Sequence, residues 1–391
     1  MIIGLLLIGL AVTPFILAPG AEDLAREPKM AWALVFALSI GLTALYQGKL
    51  KPFKNAWALV LVGFCLLSFY LSPKPDLTFF GVRSARFWSW EPLYQGLVFL
   101  LFTVAIASIK LTRRKIDYII TTMIWCAGVM AFFVILQFFG LDQFFEHRYG
   151  TYGAMAGTLG NPTLIGPFLC LVLPLMFYRK HRAFAALSII AILVTHSDVA
   201  WIGLILTISI YVMLKKRKYF IWGVGIAAVV VPLVAGLYFT QPSFRKACPD
   251  NERFITWKNS LLTLKTPVMR GSKKIYAITG MGPGSFKYLY HAQHEKQKPE
   301  TSAYAHNDYV QTANELGIIG FILFIGVIVI VLRQKGGGSA HRALMAGLIG
   351  ILGCAGGIFV LQIGTHIFYT LTIVGLLCNP SIIEEDKSCL Q

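Results

Sequence analysis

Ala305-His306-Asn307-Asp308-Tyr309-Val310-Gln311 leads directly into an apolar run from Leu316 to Leu332. A titratable imidazole thus stands at the end of a polar, basic stretch and just ahead of a segment long enough to cross a hydrocarbon core of about 30 Å. A histidine at such a boundary can exchange protons with water while facing a partly dry cavity. Asn307, Gln311 and Asn314 recur at helical spacing with Glu315 beside them, so a polar stripe is expected to enter the membrane. Polar groups at that depth are costly unless they face a cavity or a partner.

The rest of the chain has the same character. It has 391 residues, 56% hydrophobic and 14% charged, with a mean hydropathy of +0.67. These values exclude a soluble globular protein. Apolar runs fall at about 2–19, 30–47, 55–72, 92–109, 117–139, 161–178, 183–197, 199–214, 219–239, 308–332, 343–364 and 366–379. The expected fold is therefore all-α and integral to the membrane, with about twelve spans.

Basic clusters follow every second run: Lys49, Lys51 and Lys54, then Lys110 to Lys115, Arg179 to Arg182, Lys215 to Lys218, and Arg333 to Arg342. The positive-inside rule puts these loops in the cytoplasm together with both termini. The first run then acts as an uncleaved anchor. Loops such as 20–29 and 140–160 fall on the outer face. Much of the +17 net charge is thus topological and calls for no nucleic-acid partner. The seven cysteines show no spacing of a disulfide pair or a metal site.

Four parts follow from this plan: spans over 1–239, a long outer loop over 240–305, spans over 306–379, and a cytoplasmic tail over 380–391. The long loop carries eleven bases against four acids. Headgroup attraction accounts for peripheral lysines, and a field that draws in an anion such as a diphosphate is the functional reading. Within it, Asn251 to Lys258 has helical spacing, with Phe254, Trp257 and Leu261 expected on one face and Arg253 at its margin. Arginine suits a diphosphate through its planar, permanently charged fork. Gly280-Met281-Gly282-Pro283-Gly284-Ser285-Phe286 is a tight turn whose backbone could approach a ligand closely.

These residues resemble the O-antigen ligase and polymerase superfamily of bacterial envelopes, which includes O-linked oligosaccharyltransferases. The likeness rests on Gly157-Thr158-Leu159-Gly160-Asn161-Pro162-Thr163 and on Thr195 to Gly203. It rests also on Arg253 with Trp257 and the Gly282-Pro283-Gly284 turn, and on His306-Asn307-Asp308-Tyr309 with Glu315-Leu316-Gly317. The resemblance implies inverting glycan transfer from an undecaprenyl-diphosphate carrier to an acceptor hydroxyl, on the outer face of the bacterial inner membrane. The acceptor would be lipid A-core in a ligase or another lipid-linked glycan in a polymerase. It implies His306 as general base and Arg253 as a diphosphate ligand, with no metal or other cofactor.

One position departs from the pattern. Where the family usually has an arginine at the start of the eighth span, this chain has Asp198. That reverses a charge worth on the order of 1–4 kcal/mol per close pair. Arg83, Arg86 and Arg270 are the expected substitutes, and Asn307, Tyr309 and Gln311 are further candidates for substrate binding. Asn161-Pro162 reads as a helix start, since Asn caps and Pro fits the first turn. Asp308 or Glu315 could orient the histidine ring. A transporter of lipid-linked saccharide is the rival reading, but ionisable groups near mid-membrane are scarce and no internal repeat is visible.

Overall fold

The structure is a computed structural model that describes residues 1–17, 26–51, 56–72, 83–84, 87–88, 93–141, 155–215, 251–263, 276–286, 304–334, 336 and 338–382. Its α-helices in chain order are α1 (Ile2–Val12), α2 (Arg26–Tyr46), α3 (Ala56–Leu71), α4 (Leu93–Ser108), α5 (Arg113–Phe138) and α6 (Pro162–Tyr178), then α7 (Arg182–Val194), α8 (Asp198–Lys215), α9 (Asn251–Thr263), α10 (Asp308–Leu332), α11 (Ser339–Cys354) and α12 (Gly364–Leu377). A two-residue antiparallel pair, Arg83–Ser84 with Phe87–Trp88, accompanies them. All of these helices except α9 overlap an expected apolar run, and the run 219–239 lies outside the described residues.

Four described helices, α2, α5, α8 and α10, are long and apolar enough to cross a membrane. They expose Trp32, Val35, Ile202, Ile205, Ile319 and Ile322 on their outward sides, as expected where the surrounding solvent is lipid and not water. Apart from the short antiparallel pair, the described residues form the helical architecture of a membrane protein. The interior is a continuous apolar core in which α6, buried along most of its length, sits among α5, α7, α8 and α11.

Three departures from uninterrupted spans matter for the site. The first run is helical only to Val12, where the Thr13 hydroxyl bonds back to the Gly9 carbonyl and Pro14 follows. The run expected at 343–364 ends its helix at Cys354, next to Ala355-Gly356-Gly357. A linker with a short 3-10 turn at Val360–Gln362 then leads into α12. Finally, α10 is broken at Gly317, whose φ of 65° and ψ of −173° belong to a region essentially restricted to glycine.

The start of α6 matches expectation. The Asn161 side chain accepts from the Thr163 amide and Pro162 occupies the first turn.

Candidate functional site

The break at Gly317 is where the glycine turn docks. Gly282 donates to the Glu315 carbonyl at 2.9 Å, while the Ile318 amide donates to Ala277 at 2.9 Å and that of Ile319 to Ile278 at 3.4 Å. A helix interrupted at this point leaves backbone groups unpaired, and the turn satisfies them. Three glycines in the turn, Gly280, Gly282 and Gly284, have positive φ. At Gly280 a Cβ would overlap the Glu315 carbonyl, so the close approach excludes any other residue. Ser68 of α3 and Ser72 just past its end hold the far side by donating to the Thr279 and Met281 carbonyls at 2.7 and 2.8 Å. The turn thus brings its backbone against α10 itself.

Glu315 secures the same junction through its side chain. Its buried carboxylate accepts from the Gly284 amide at 2.9 Å, from the Phe286 amide at 3.4 Å and from Gln311 Nε2 at 3.1 Å. Gln311 Oε1 in turn accepts from the Ala305 amide at 3.2 Å. A line of hydrogen bonds therefore runs from the residue before His306 to the glycine turn. Asn314 is bonded to the Ser260 carbonyl at 2.7 Å. The polar stripe expected on α10 does face protein, and its members are buried and satisfied.

The start of α10 is fixed with equal care. Asn307 is the N-cap, accepting from the amides of Tyr309 and Val310, and its Nδ2 donates to the Gly356 carbonyl at 2.8 Å. Asp308 donates its amide to Ala355 and accepts from the Leu361 amide at 3.0 Å. The Tyr309 hydroxyl donates to the Leu352 carbonyl at 2.6 Å. Each contact ties α10 to the end of α11 or to the 355–363 linker. The irregular linker is what supplies the free carbonyls and amides, because a continuous helix would have consumed them.

His306 sits at the junction with a left-handed φ of 51°, a conformation uncommon outside glycine. Its ring meets Phe359 edge-on at 5.0 Å, and its Nδ1 is buried with no hydrogen-bond partner among the described residues. Neither Asp308 nor Glu315 bonds to the imidazole among those residues; Asp308 serves the Leu361 amide, and Glu315 serves the turn amides and Gln311. The ring is oriented by packing and by its strained backbone.

Arg253 reaches this place from α9. Its Nη1 donates to the Gly357 carbonyl at 3.2 Å, and Trp257 donates its indole N–H to the Ala305 carbonyl at 2.8 Å. The face of α9 turned inward carries Arg253, Trp257 and the buried Ser260, whereas Leu261 is 46% exposed. Trp257 thus faces inward as expected and Leu261 does not, while the side chain of Phe254 lies outside what is described.

Arg26, the first residue of α2, completes the surroundings. Its guanidinium carbon lies 5.6 Å from the Phe359 ring centre and 5.9 Å from that of Tyr304. Those two rings stack at 4.4 Å. Burial, then the positive charges of Arg253 and Arg26, push the His306 pKa down from 6.5 to about 4. The imidazole is therefore neutral at physiological pH and able to accept a proton.

Other expected residues lie apart from this cluster or beyond what is described. Asp198 is exposed at the first position of α8, whose next residue, Val199, packs against Gly357. It stands at the rim. Arg83 falls in the short β-pair, and Arg86 and Arg270 lie outside the described residues. Sequence reasoning missed Arg26 and Phe359. One sits in a loop with three acids, and the other resembles any apolar residue of a span.

Residues 183–325 match the family model described as O-Antigen ligase. No curated protein matches the chain. The matched stretch runs from α7 into the first part of α10 and holds Arg253, the glycine turn, His306 and Glu315. The resemblance to the O-antigen ligase and polymerase superfamily therefore rests on a matched domain as well as on motifs. Arg26 and the 355–363 linker lie outside it.

Proposed function

We propose that this protein transfers a glycan from an undecaprenyl-diphosphate carrier to an acceptor hydroxyl, with His306 as general base and Arg253 binding the diphosphate. The observation that carries the reading is the convergence of Arg253 and His306 on the 355–361 linker, although they arise from separate elements. As the acceptor oxygen attacks the anomeric carbon, its proton passes to the neutral imidazole. The C–O bond to the carrier breaks with its electron pair leaving on the diphosphate. Cationic guanidinium groups stabilise that charge as it develops, so the residues can run the reaction without a metal. Backside attack inverts the anomeric centre.

Asn307, Tyr309 and Gln311 belong to this site as positioning residues, since their polar atoms bind backbone or Glu315. Arg83, Arg86 and Arg270 remain candidate donor contacts from the outer loops. The active face is the outer one, with both termini cytoplasmic and the 240–305 segment forming the outer loop over the spans. Lipid A-core is the acceptor in the ligase form of this reaction, and a second lipid-linked glycan is the acceptor in the polymerase form.

The test is covalent product formation by purified protein in detergent, from a lipid-linked donor and an acceptor glycolipid, with no gradient or second compartment. A new glycosidic bond supports transfer. Movement of donor across vesicles with no product would favour a transporter. Polymer accumulating on its carrier in cells lacking the protein marks the ligase form, and a lost ladder marks the polymerase form.

A further inference from the structure

We infer that Arg26 is the second cation of the donor-diphosphate site, filling the role left open where Asp198 replaces the arginine expected at the start of α8. The inference rests on the transferase reading above and adds a residue outside the matched segment.

Position is the first argument. Arg26 opens α2 in the 20–29 loop, which charge patterning places on the same outer face as His306. Its guanidinium packs over Phe359 within the distance at which a cation is attracted to an aromatic face. His306 meets that same ring by its edge. Arg253 binds Gly357, two residues earlier in the linker. Two guanidinium groups thus flank one imidazole, from α2 and from α9.

Rigidity is the second. One turn beyond Arg26, Lys29 is fully buried and donates to the Ile16 carbonyl at 2.6 Å. Gly364 at the start of α12 lies so close to the backbone of Lys29 and Met30 that a Cβ there would overlap it. The end of α2 is therefore pinned, and the guanidinium it carries is aimed and not merely tethered. A planar fork held on aromatic rings loses little freedom when it engages a phosphate.

Charge is the third. Among the described residues, the groups facing His306 are Arg253 from α9, Arg26 from α2, Tyr304 just before it and Asp308 at the start of α10. The 355–363 linker offers no ionisable side chain, and Asp198 of α8 stays exposed at the rim. Asp308 is committed to the linker amide of Leu361. Among the described residues two arginines stand against this one committed carboxylate where a dianion would bind, despite the reversed sign at Asp198. Both arginines also depress the His306 pKa, so a bound diphosphate would neutralise them and raise the basicity of the imidazole when the acceptor arrives.

The experiment measures binding of inorganic pyrophosphate and of undecaprenyl diphosphate to full-length protein in detergent. Wild type is compared with Arg26→Ala, Arg26→Lys and Arg253→Ala, each checked by thermal melting. Loss of one charge-assisted, bidentate contact should weaken both ligands roughly ten- to hundredfold in Arg26→Ala. Arg26→Lys should recover part of that loss, and it keeps the test open if the alanine variant folds poorly. Arg26→Ala should also move the acid limb of kcat/KM upward in pH, a change that a purely structural prop would not make. Wild-type affinity in Arg26→Ala alongside lost affinity in Arg253→Ala would overturn the role of Arg26 and leave the transferase reading intact. Absence of binding to wild type, together with absence of transfer, would remove both.

Discussion

Replacing Gly317 by alanine should undock the glycine turn from α10. The native φ and ψ lie where a side chain costs about 1–3 kcal/mol, and the new Cβ would overlap the Ile278 carbonyl. Moving the turn away to relieve that contact breaks the bonds from Gly282, Ile318 and Ile319, each worth roughly 0.5–1.5 kcal/mol. Those bonds are broken when the wild-type turn undocks as well, so what alanine adds is the strain on the docked state and about 1 kcal/mol of helix preference over glycine in a straightened α10. The net shift against the docked turn is then on the order of 2–4 kcal/mol, or about 30- to 1000-fold in population. Hydrogen exchange resolved over residues 276–286 should show that acceleration in Gly317→Ala, and transfer activity should fall with it. Gly63→Ala in α3 is the control, because a Cβ there meets nothing within 4 Å. Unchanged protection of the turn in Gly317→Ala would refute the view that the helix break exists to receive it.

Glu315→Gln should destabilise the protein by about 1.5–3 kcal/mol, since the amide presents N–H groups to three donors that now share a carboxylate; thermal unfolding in detergent measures the loss, and an unchanged midpoint would contradict the assignment. The depressed pKa of His306 also predicts a pH dependence of stability. Between 6.5 and about 4 the unfolded chain binds a proton that the folded one refuses, so stability should decline as pH falls through this window, by up to about 3 kcal/mol. His306→Asn should flatten that decline, and a variant that keeps it would assign the titration elsewhere. In kinetics, the acid limb of kcat should lie at higher pH than that of kcat/KM, because bound diphosphate offsets the arginines in the complex and not in the free enzyme.

How much of this could be read from the sequence differs between fold and site. The apolar runs marked the helices because burial in lipid selects long apolar stretches whatever their packing. Their interruptions were less visible. Gly317 sits in a run apolar enough to hide it, and Gly356-Gly357 resembles the small-residue content of many spans. Only the partner backbone shows that one glycine receives a turn and the other pair ends a helix. At the site, His306 and Arg253 were legible from residue type and position. The task of Glu315 was not, because a carboxylate that accepts two hydrogen bonds from a distant turn looks the same in sequence as one that binds a ligand. Arg26 was hidden by separation along the chain, since nothing local links the start of α2 to residues 304–306 and 359.

If His306 is the base, its loss must slow the chemical step and leave donor binding in place. Steady-state transfer by purified His306→Ala, with a lipid-linked donor and an acceptor hydroxyl, tests it most directly. The fall in kcat should be at least about a hundredfold, with the melting temperature and donor KM close to those of wild type. Full activity in that variant would contradict it.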